Sequence, residues 1–138
     1  MRQMPGSFLD TNILLYNLST DPRRSGRVEQ LIRDGGTISV QVLNELANVA
    51  IRKMALGWDE LQTYLETIRQ LLAVVPLDLP THVEGMRLCQ RYNLPLYDGM
   101  IVSAAMLAGC DILWTEDMQH GLTIDDRLQI RNPFISPA

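Results

Sequence analysis

Four acidic residues stand where predicted strands end or predicted helices begin: Asp10, Glu45, Asp98 and Asp117. In a parallel sheet the carboxyl ends of the strands share one edge, and ligands bind in the crevice beyond it. Four like charges in one crevice repel each other unless cations are present, and Mg²⁺ or Mn²⁺ suits an all-oxygen set of ligands. We therefore expect a carboxylate-held metal site, of the kind that activates water and supports in-line displacement at phosphorus.

Each acid also has a simpler interpretation when it is taken alone. Asp10 and Asp98 are of a residue type that caps helices, and Glu45 fits an exposed helix position that the helix dipole favours. Asp117 follows an apolar strand with Glu116 beside it, and residue order favours Asp117 only slightly. The joint placement of the four acids is what indicates a site.

Strands and helices alternate along the chain. Short apolar, β-branched strands are predicted at residues 7–10, 37–40, 73–75, 112–115 and 129–131, and amphipathic helices at residues 25–34, 41–56, 59–72, 81–92 and 97–108. Two helix starts rest on sequences that resemble capping boxes, at Asp59 and Thr81. This alternation is typical of βαβ units, so we expect residues 1–138 to form one domain. Its predicted fold class is α/β, a three-layer sandwich with a central parallel sheet of about five strands between helices.

The composition is that of a globular protein. Of the 138 residues, 46% are hydrophobic and 20% charged, and no apolar run is long enough to span a bilayer. Residues 1–6 lack the apolar stretch of a secretory signal. Cys89 and Cys110 lie in apolar helical stretches, which favours two free thiols in a reducing cytoplasm, although the sequence also allows one disulfide.

The net charge of −4 argues at first against a nucleic-acid partner. Setting aside the four candidate acids leaves 12 acidic residues against 12 basic ones, and two divalent ions would balance the four acids. A protein that carries metal therefore need not repel RNA. Arg23, Arg24 and Arg27 form the densest basic cluster and are candidate phosphate contacts, although such a run is more often simply an exposed helix edge.

Several stretches together carry a family resemblance. They are residues 8–14 (FLDTNIL), 38–46 (ISVQVLNEL), 96–105 (LYDGMIVSAA), 113–121 (LWTEDMQHG) and 129–134 (QIRNPF). In this order they resemble the successive motifs of PIN-domain ribonucleases, and most of all those of the VapC-type toxins of prokaryotic toxin–antitoxin pairs. The resemblance runs from about Ser7 to Phe134, nearly the whole chain.

The resemblance implies a five-stranded parallel sheet and an Mg²⁺- or Mn²⁺-dependent endoribonuclease that acts on RNA. It places Asp10, Glu45, Asp98 and Asp117 in the acidic site, with Thr11, Asn12 and Thr115 as supporting residues and Glu116 as a further candidate. It also implies a homodimer and a cognate antitoxin that masks the groove. Gly99 departs from the pattern, since relatives often carry Ala or another small residue there.

Other classes of protein fit the acids less well. A non-catalytic PIN-like module that binds RNA or a protein is the main alternative, and the presence of all four acids favours an enzyme over it. Haloacid-dehalogenase-like phosphatases need a second Asp where Asn12 stands. Response-regulator receivers need a late Lys, whereas the only Lys is Lys53.

Overall fold

The computed structural model describes residues 6–135. Its strands are β1 (Gly6–Leu9), β2 (Thr37–Ser39), β3 (Ala73–Val75), β4 (Cys110–Trp114), β5 (Thr123–Ile124) and β6 (Leu128–Arg131). Its helices are α1 (Thr11–Asn17), α2 (Pro22–Arg33), α3 (Val40–Lys53), α4 (Trp58–Leu71), α5 (Leu79–Tyr92) and α6 (Leu96–Leu107). The sequence-based statement about a secretory signal concerns residues that lie almost entirely outside the described range.

The six strands form one sheet in the order β3-β2-β1-β4-β6-β5. Five of them run parallel, while β5 pairs antiparallel with β6. The predicted α/β fold is therefore confirmed, with one strand more than expected. With two residues, β5 is too short to show a periodicity, and it depends on a turn in which Asp125 and Asp126 take positive φ.

The central strands explain where the core lies. In β1 both Phe8 and Leu9 are fully buried, as expected for a parallel strand that is covered on both faces. Leu113 of the neighbouring β4 and Ile38 of β2 are also fully buried. Helix α6 is buried from Gly99 to Met106, and its apolar surroundings on all sides fit a helix in the interior.

Helices α2 to α6 all begin one to three residues earlier than the sequence predicted. Helix α4 is capped by the backbone of Gly57, so Asp59 lies in its first turn and is not a cap. Helix α5 is capped by Asp78, whose Oδ1 accepts a hydrogen bond of 3.2 Å from the backbone N–H of Thr81. A proline lies in the first turn of α5 and another directly precedes α6, positions at which proline fits the start of a helix.

Both cysteines are free thiols, as the sequence favoured. Cys110 is buried at the start of β4, where burial raises the pKa of its thiol. Among the helices of residues 6–135, none combines the length and the apolarity needed to cross a membrane.

Candidate active site

The site lies where the two central strands end side by side. Leu9 of β1 pairs with Trp114 of β4, and the backbone N–H of Asp10 donates to the carbonyl oxygen of Trp114 at 3.0 Å. This bond extends the ladder by one residue beyond both strands. It places Asp10 beside Thr115, which follows β4, so the first predicted acid meets the segment that holds the fourth.

Asp10 is both a helix cap and the centre of the polar cluster. Its Oδ1 accepts from the backbone N–H of Thr11 at 2.7 Å, at the start of α1. Its Oδ2 accepts from the hydroxyl of Thr115 at 2.9 Å and from the amide of Asn12 at 3.2 Å. The helix-cap and site interpretations of Asp10 are therefore compatible. Oδ1 caps α1, and Oδ2 belongs to the polar cluster.

Asn12 connects the first and fourth acids. Its Nδ2 lies 3.0 Å from Oδ2 of Asp117 and 3.1 Å from the hydroxyl oxygen of Thr115, in addition to its contact with Asp10. Its Oδ1 accepts from the backbone N–H of Glu116 at 3.1 Å. That acceptor fixes which way the amide faces, so the NH₂ group must point toward the carboxylates.

The second and third acids reach the same crevice from helices. Glu45, on α3, accepts through Oε2 from the hydroxyl of Thr11 at 2.7 Å. Asp98 lies in the first turn of α6 and is half-buried. A cavity of about 360 Å³ is lined by Asp10, Thr11, Asn12, Leu15, Glu45, Asn48, Val49, Tyr97, Asp98 and Asp117. All four predicted acids thus share one cavity.

Burial and neighbouring negative charges raise the pKa values of Asp10 and Asp98. Burial is the largest cause that raises the pKa of Asp10 to about 7, against the lowering effect of its hydrogen bonds with Thr115 and Thr11. The charges of Glu45 and Asp98 raise it further. The pKa of Asp98 is also raised, by burial first and then by the charges of Asp117 and Glu45. The cavity is therefore a place where negative charge lacks compensation.

Glu116 occupies a different environment from its neighbour Asp117. Its side chain does not line the cavity. It accepts hydrogen bonds from the phenol of Tyr16 and, at 3.0 Å, from the guanidinium of Arg24. The guanidinium also lies over the rings of Tyr16 and Phe134, 4.9 Å and 5.0 Å from their centroids. Glu116 thus lies outside the cavity, where the guanidinium of Arg24 compensates its charge.

The three clustered arginines have unequal surroundings. With Pro133 and Phe134 they line a second cavity of about 300 Å³. Arg24 is engaged by Glu116, and Arg27 donates to the carbonyl oxygen of Pro133 at 3.3 Å. Arg23 is exposed, and its side chain makes no hydrogen bond or ion pair with residues 6–135. Arg23 is therefore the member most available to a ligand.

Four residues of the cavity were not predicted from the sequence: Leu15, Asn48, Val49 and Tyr97. Asn48 lies one helical turn after Glu45 on α3, so helical spacing could have identified it. Tyr97 directly precedes Asp98 and is exposed. For the apolar Leu15 and Val49 the sequence gives no signal beyond ordinary helix periodicity.

The donor set of the cavity fits a hard divalent cation. Every charged residue that lines it is acidic, and the other polar donors are oxygen or amide groups. Within residues 6–135 the acids do not yet stand as a finished ligand set of three or more, since Thr11 holds Glu45 and Asn12 holds Asp117. Cation binding would require these side chains to turn toward a common point.

Comparison with known proteins identifies the fold family. A family model of the PIN domain matches residues 7–121, so the chain belongs to the PIN domain family. The resemblance found in the sequence is confirmed at this level. The match ends before β6, although β6 pairs with β4 inside the sheet. No curated protein matches the chain by sequence.

Several solved structures share the fold. One is a toxin–antitoxin complex from Klebsiella pneumoniae, with a TM-score of 0.70 and 20% identity over 94% of this chain and 98% of that one. Another is DNA-bound VapBC from Salmonella typhimurium, with a TM-score of 0.70 and 21% identity over 94% and 99%. A third is VapC20 from Mycobacterium tuberculosis, named a sarcin–ricin loop cleaving toxin, with a TM-score of 0.63 and 14% identity over 81% and 90%.

Proposed function

We propose that this chain is a metal-dependent endoribonuclease that hydrolyses RNA phosphodiester bonds, and that it is the toxin of a toxin–antitoxin pair. The observation that carries the proposal is the cavity that Asp10, Glu45, Asp98 and Asp117 line together without a basic residue among its walls. The PIN domain fold and the similar structures, which include a sarcin–ricin loop cleaving toxin, support the same class.

The four acids would hold Mg²⁺ or Mn²⁺, with Asp10 at the centre because its two carboxylate oxygens accept hydrogen bonds from Thr11 at the start of α1 and from Thr115 after β4. When bound, the ion supplies a water of lowered pKa and neutralises charge at the phosphodiester. Thr115 and Asn12 orient Asp10 through its Oδ2, and Thr11 orients Glu45. Such supporting hydrogen bonds fix the direction of ligand oxygens and typically affect metal affinity about 10–100-fold.

RNA would approach from the open side of the cavity, and we propose that Arg23 and Arg27 contact its phosphates. The Arg23 side chain makes no hydrogen bond or ion pair with the described residues. Arg27 donates from Nε to Pro133 and from one terminal nitrogen to Gln30, which leaves its other terminal nitrogen for a phosphate. Arg24 is less suited to this role because Glu116 and Tyr16 already engage it. These contacts would add affinity without reading sequence, as phosphate contacts generally do.

Cleavage of RNA by matched variants tests the proposal. Asp10→Asn and Asp98→Asn each keep the shape of the side chain and remove its charge, so both should abolish Mg²⁺-dependent cleavage. Asp126→Asn is the control, because Asp126 is exposed in the β5–β6 turn, away from the cavity. Undiminished cleavage by both site variants would refute the assignment.

A non-catalytic PIN-like module that binds RNA or a protein is the second candidate. It is favoured by one observation, that the acids of residues 6–135 are not assembled into a ligand set. An enzyme should gain thermal stability from Mn²⁺ in the wild type and lose that gain in Asp98→Asn, because a ligand of the folded state stabilises it. A binding module should show no difference between the two.

We also propose a cognate antitoxin and a homodimer as partners. Support for the antitoxin comes from the similar structures, one of which is a toxin–antitoxin complex. For the homodimer, support comes from α5, where Leu79, Val83 and Met86 follow helical spacing and are all exposed. Light scattering should give twice the chain mass for the wild type and the chain mass for Val83→Glu.

A further inference from the structure

Glu116 is the one acid of the predicted set whose charge is compensated. Its Oε2 pairs with the guanidinium of Arg24 at 3.0 Å, and its Oε1 accepts from the phenol of Tyr16. Arg24 is itself held by the rings of Tyr16 and Phe134, which meet edge to face at a centroid distance of 5.0 Å. This cluster joins α1, α2, the segment after β4 and the segment after β6.

The backbone of the same residue faces the other way. The N–H of Glu116 donates to Oδ1 of Asn12 at 3.1 Å, and this bond sets the orientation of the Asn12 amide. The opposite end of the amide then reaches Asp10 and Asp117. One residue thus connects the ion pair on the outer side with the carboxylates on the inner side.

We propose that Arg24, Tyr16 and Glu116 form a positioning cluster that holds Asn12, and through it Asp10 and Asp117, in the geometry that binds the cation. The proposal rests on the proposed function for the identity of the cation. It replaces phosphate binding as the role of Arg24. None of the three residues touches substrate in this account, and each acts through the 115–117 segment.

The partial burial of the Arg24–Glu116 ion pair supports a role in positioning the 115–117 segment. The side chains of Arg24 and Glu116 are 40% and 25% exposed, so the pair is partly shielded from water. Arg33 and Glu29 on the same helix offer a contrast, since they lie 3.9 Å apart and are 78% and 56% exposed. An exposed pair of that kind contributes little, which makes Arg33→Met a matched control for Arg24→Met.

The first test observes Asn12 directly. The side-chain amide resonances of Asn12 are followed by ¹⁵N NMR in the wild type and in Glu116→Gln, Arg24→Met and Arg33→Met. The account predicts shifted or exchange-broadened Asn12 signals in the first two variants and unchanged signals in Arg33→Met. This readout needs neither metal nor RNA, so it stands even if the proposed function fails.

The second test measures Mn²⁺ affinity well below the melting temperature of each variant. Glu116→Gln and Arg24→Met should bind Mn²⁺ about three- to tenfold more weakly than the wild type, toward the low end of the usual effect of supporting residues because the pair is partly exposed. The double variant should be no worse than either single one, since both break the same link. Arg33→Met should bind as the wild type does.

RNA cleavage separates positioning from substrate contact. If Arg24 positions the site, Glu116→Gln and Arg24→Met both lower kcat and leave KM unchanged. If Arg24 contacts phosphate, Arg24→Met raises KM, and Glu116→Gln, which frees the guanidinium, does not. Unaltered Asn12 resonances together with wild-type Mn²⁺ affinity in both variants would overturn the proposal, as would a fall in melting temperature without either change.

Discussion

Glu116 and Asp117 are neighbours in the chain with opposite surroundings. Glu116 points to the outer side, where Arg24 and Tyr16 neutralise it. Asp117 lines the cavity, where its hydrogen-bonding partner is the uncharged amide of Asn12. Two adjacent acids therefore have different surroundings, and the residue types alone could not have shown which of them lines the cavity.

The difference shows how charge compensation separates structure from function. A carboxylate that finds a cation within the fold contributes to the arrangement of the chain. Carboxylates that gather without one keep a local excess of negative charge, which is costly unless a proton or an ion joins them. In the cavity, burial raises the pKa values of Asp10 and Asp98, and the charges of neighbouring carboxylates raise them further.

The same kind of substitution at the two neighbours should give very different losses. Asp117→Asn removes a carboxylate from the cavity and should lower Mg²⁺-dependent cleavage of RNA by roughly 10²–10³-fold, the usual range for loss of a preorganised electrostatic group. Glu116→Gln removes only the ion pair with Arg24 and should lower the cleavage rate about three- to tenfold. Initial rates at saturating RNA measure both losses. Equal losses would contradict the claim that Asp117 belongs to the cation site and Glu116 does not.

The stability of the metal-free protein should depend on Asp10. Its folded-state pKa of about 7 lies above its ordinary value of 3.8, so the folded state binds the proton more tightly than the unfolded chain does. Stability from this group is fully present at low pH and is lost as pH rises through about 7. Urea unfolding in EDTA should therefore show a contribution that falls by about 2.5 kcal/mol between pH 5 and pH 7.

Asp10→Asn is the control for that dependence. The variant should remove this part of the pH slope. Glu116→Gln should retain it, because Glu116 is not among the groups that shift the pKa of Asp10. Added Mg²⁺ should reduce the loss in the wild type, since a bound cation takes the place of the proton. Parallel slopes for the wild type and Asp10→Asn would show that burial of Asp10 does not govern the effect.

Gly99 should not tolerate a methyl group. A Cβ there would overlap Sγ of Cys89 and lie 3.0 Å from the carbonyl oxygen of Gly85. Gly99→Ala should lower the free energy of unfolding by about 2 kcal/mol through overpacking. It should also weaken Mn²⁺ binding, because Asp98 precedes it in the first turn of α6.

Two further variants sharpen this prediction. Cys89→Ala combined with Gly99→Ala should recover part of the loss, because the sulfur is removed while the carbonyl oxygen of Gly85 remains. Gly26→Ala is the matched control, since nothing lies within 4 Å of the Cβ position and Ala favours the helix. A loss of stability in Gly26→Ala as large as that in Gly99→Ala would contradict the packing explanation.

The smallest expected effect concerns the free arginine. Arg23→Met should raise KM for RNA about two- to threefold at physiological salt and reduce the slope of log affinity against log salt by about 1. Arg33→Met, at the other end of α2, should leave both unchanged. A wild-type salt slope in Arg23→Met would show that Arg23 does not contact RNA phosphates.

The sequence predicted much of the fold and of the acidic site, because local residue patterns indicate where strands end and helices begin. Phe8 and Leu9, followed by Asp10, indicate a buried strand with a carboxylate at its end, and the sheet order then places that end next to Thr115. The family resemblance, confirmed by the PIN domain match, supported the same arrangement. The grouping of the four acids in one cavity follows from these features.

Other details depend on contacts that no local pattern contains. Arg24 lies 92 residues from Glu116, and nothing in either stretch specifies that they pair. Cys89 fills the space beside Gly99 only because α5 and α6 pack closely. The start of α5 was placed at Thr81 because Thr81 and Glu84 resemble a capping box, whereas Asp78 caps the helix in the structure.

Calorimetric titration of Mn²⁺ into the wild type and Asp10→Asn tests the central claim most directly, that the uncompensated carboxylates form a cation site. The account predicts saturable binding to the wild type, with release of protons near neutral pH, and at least about tenfold weaker binding to Asp10→Asn. Equal affinity for the two proteins, or no saturable binding to the wild type, would contradict it.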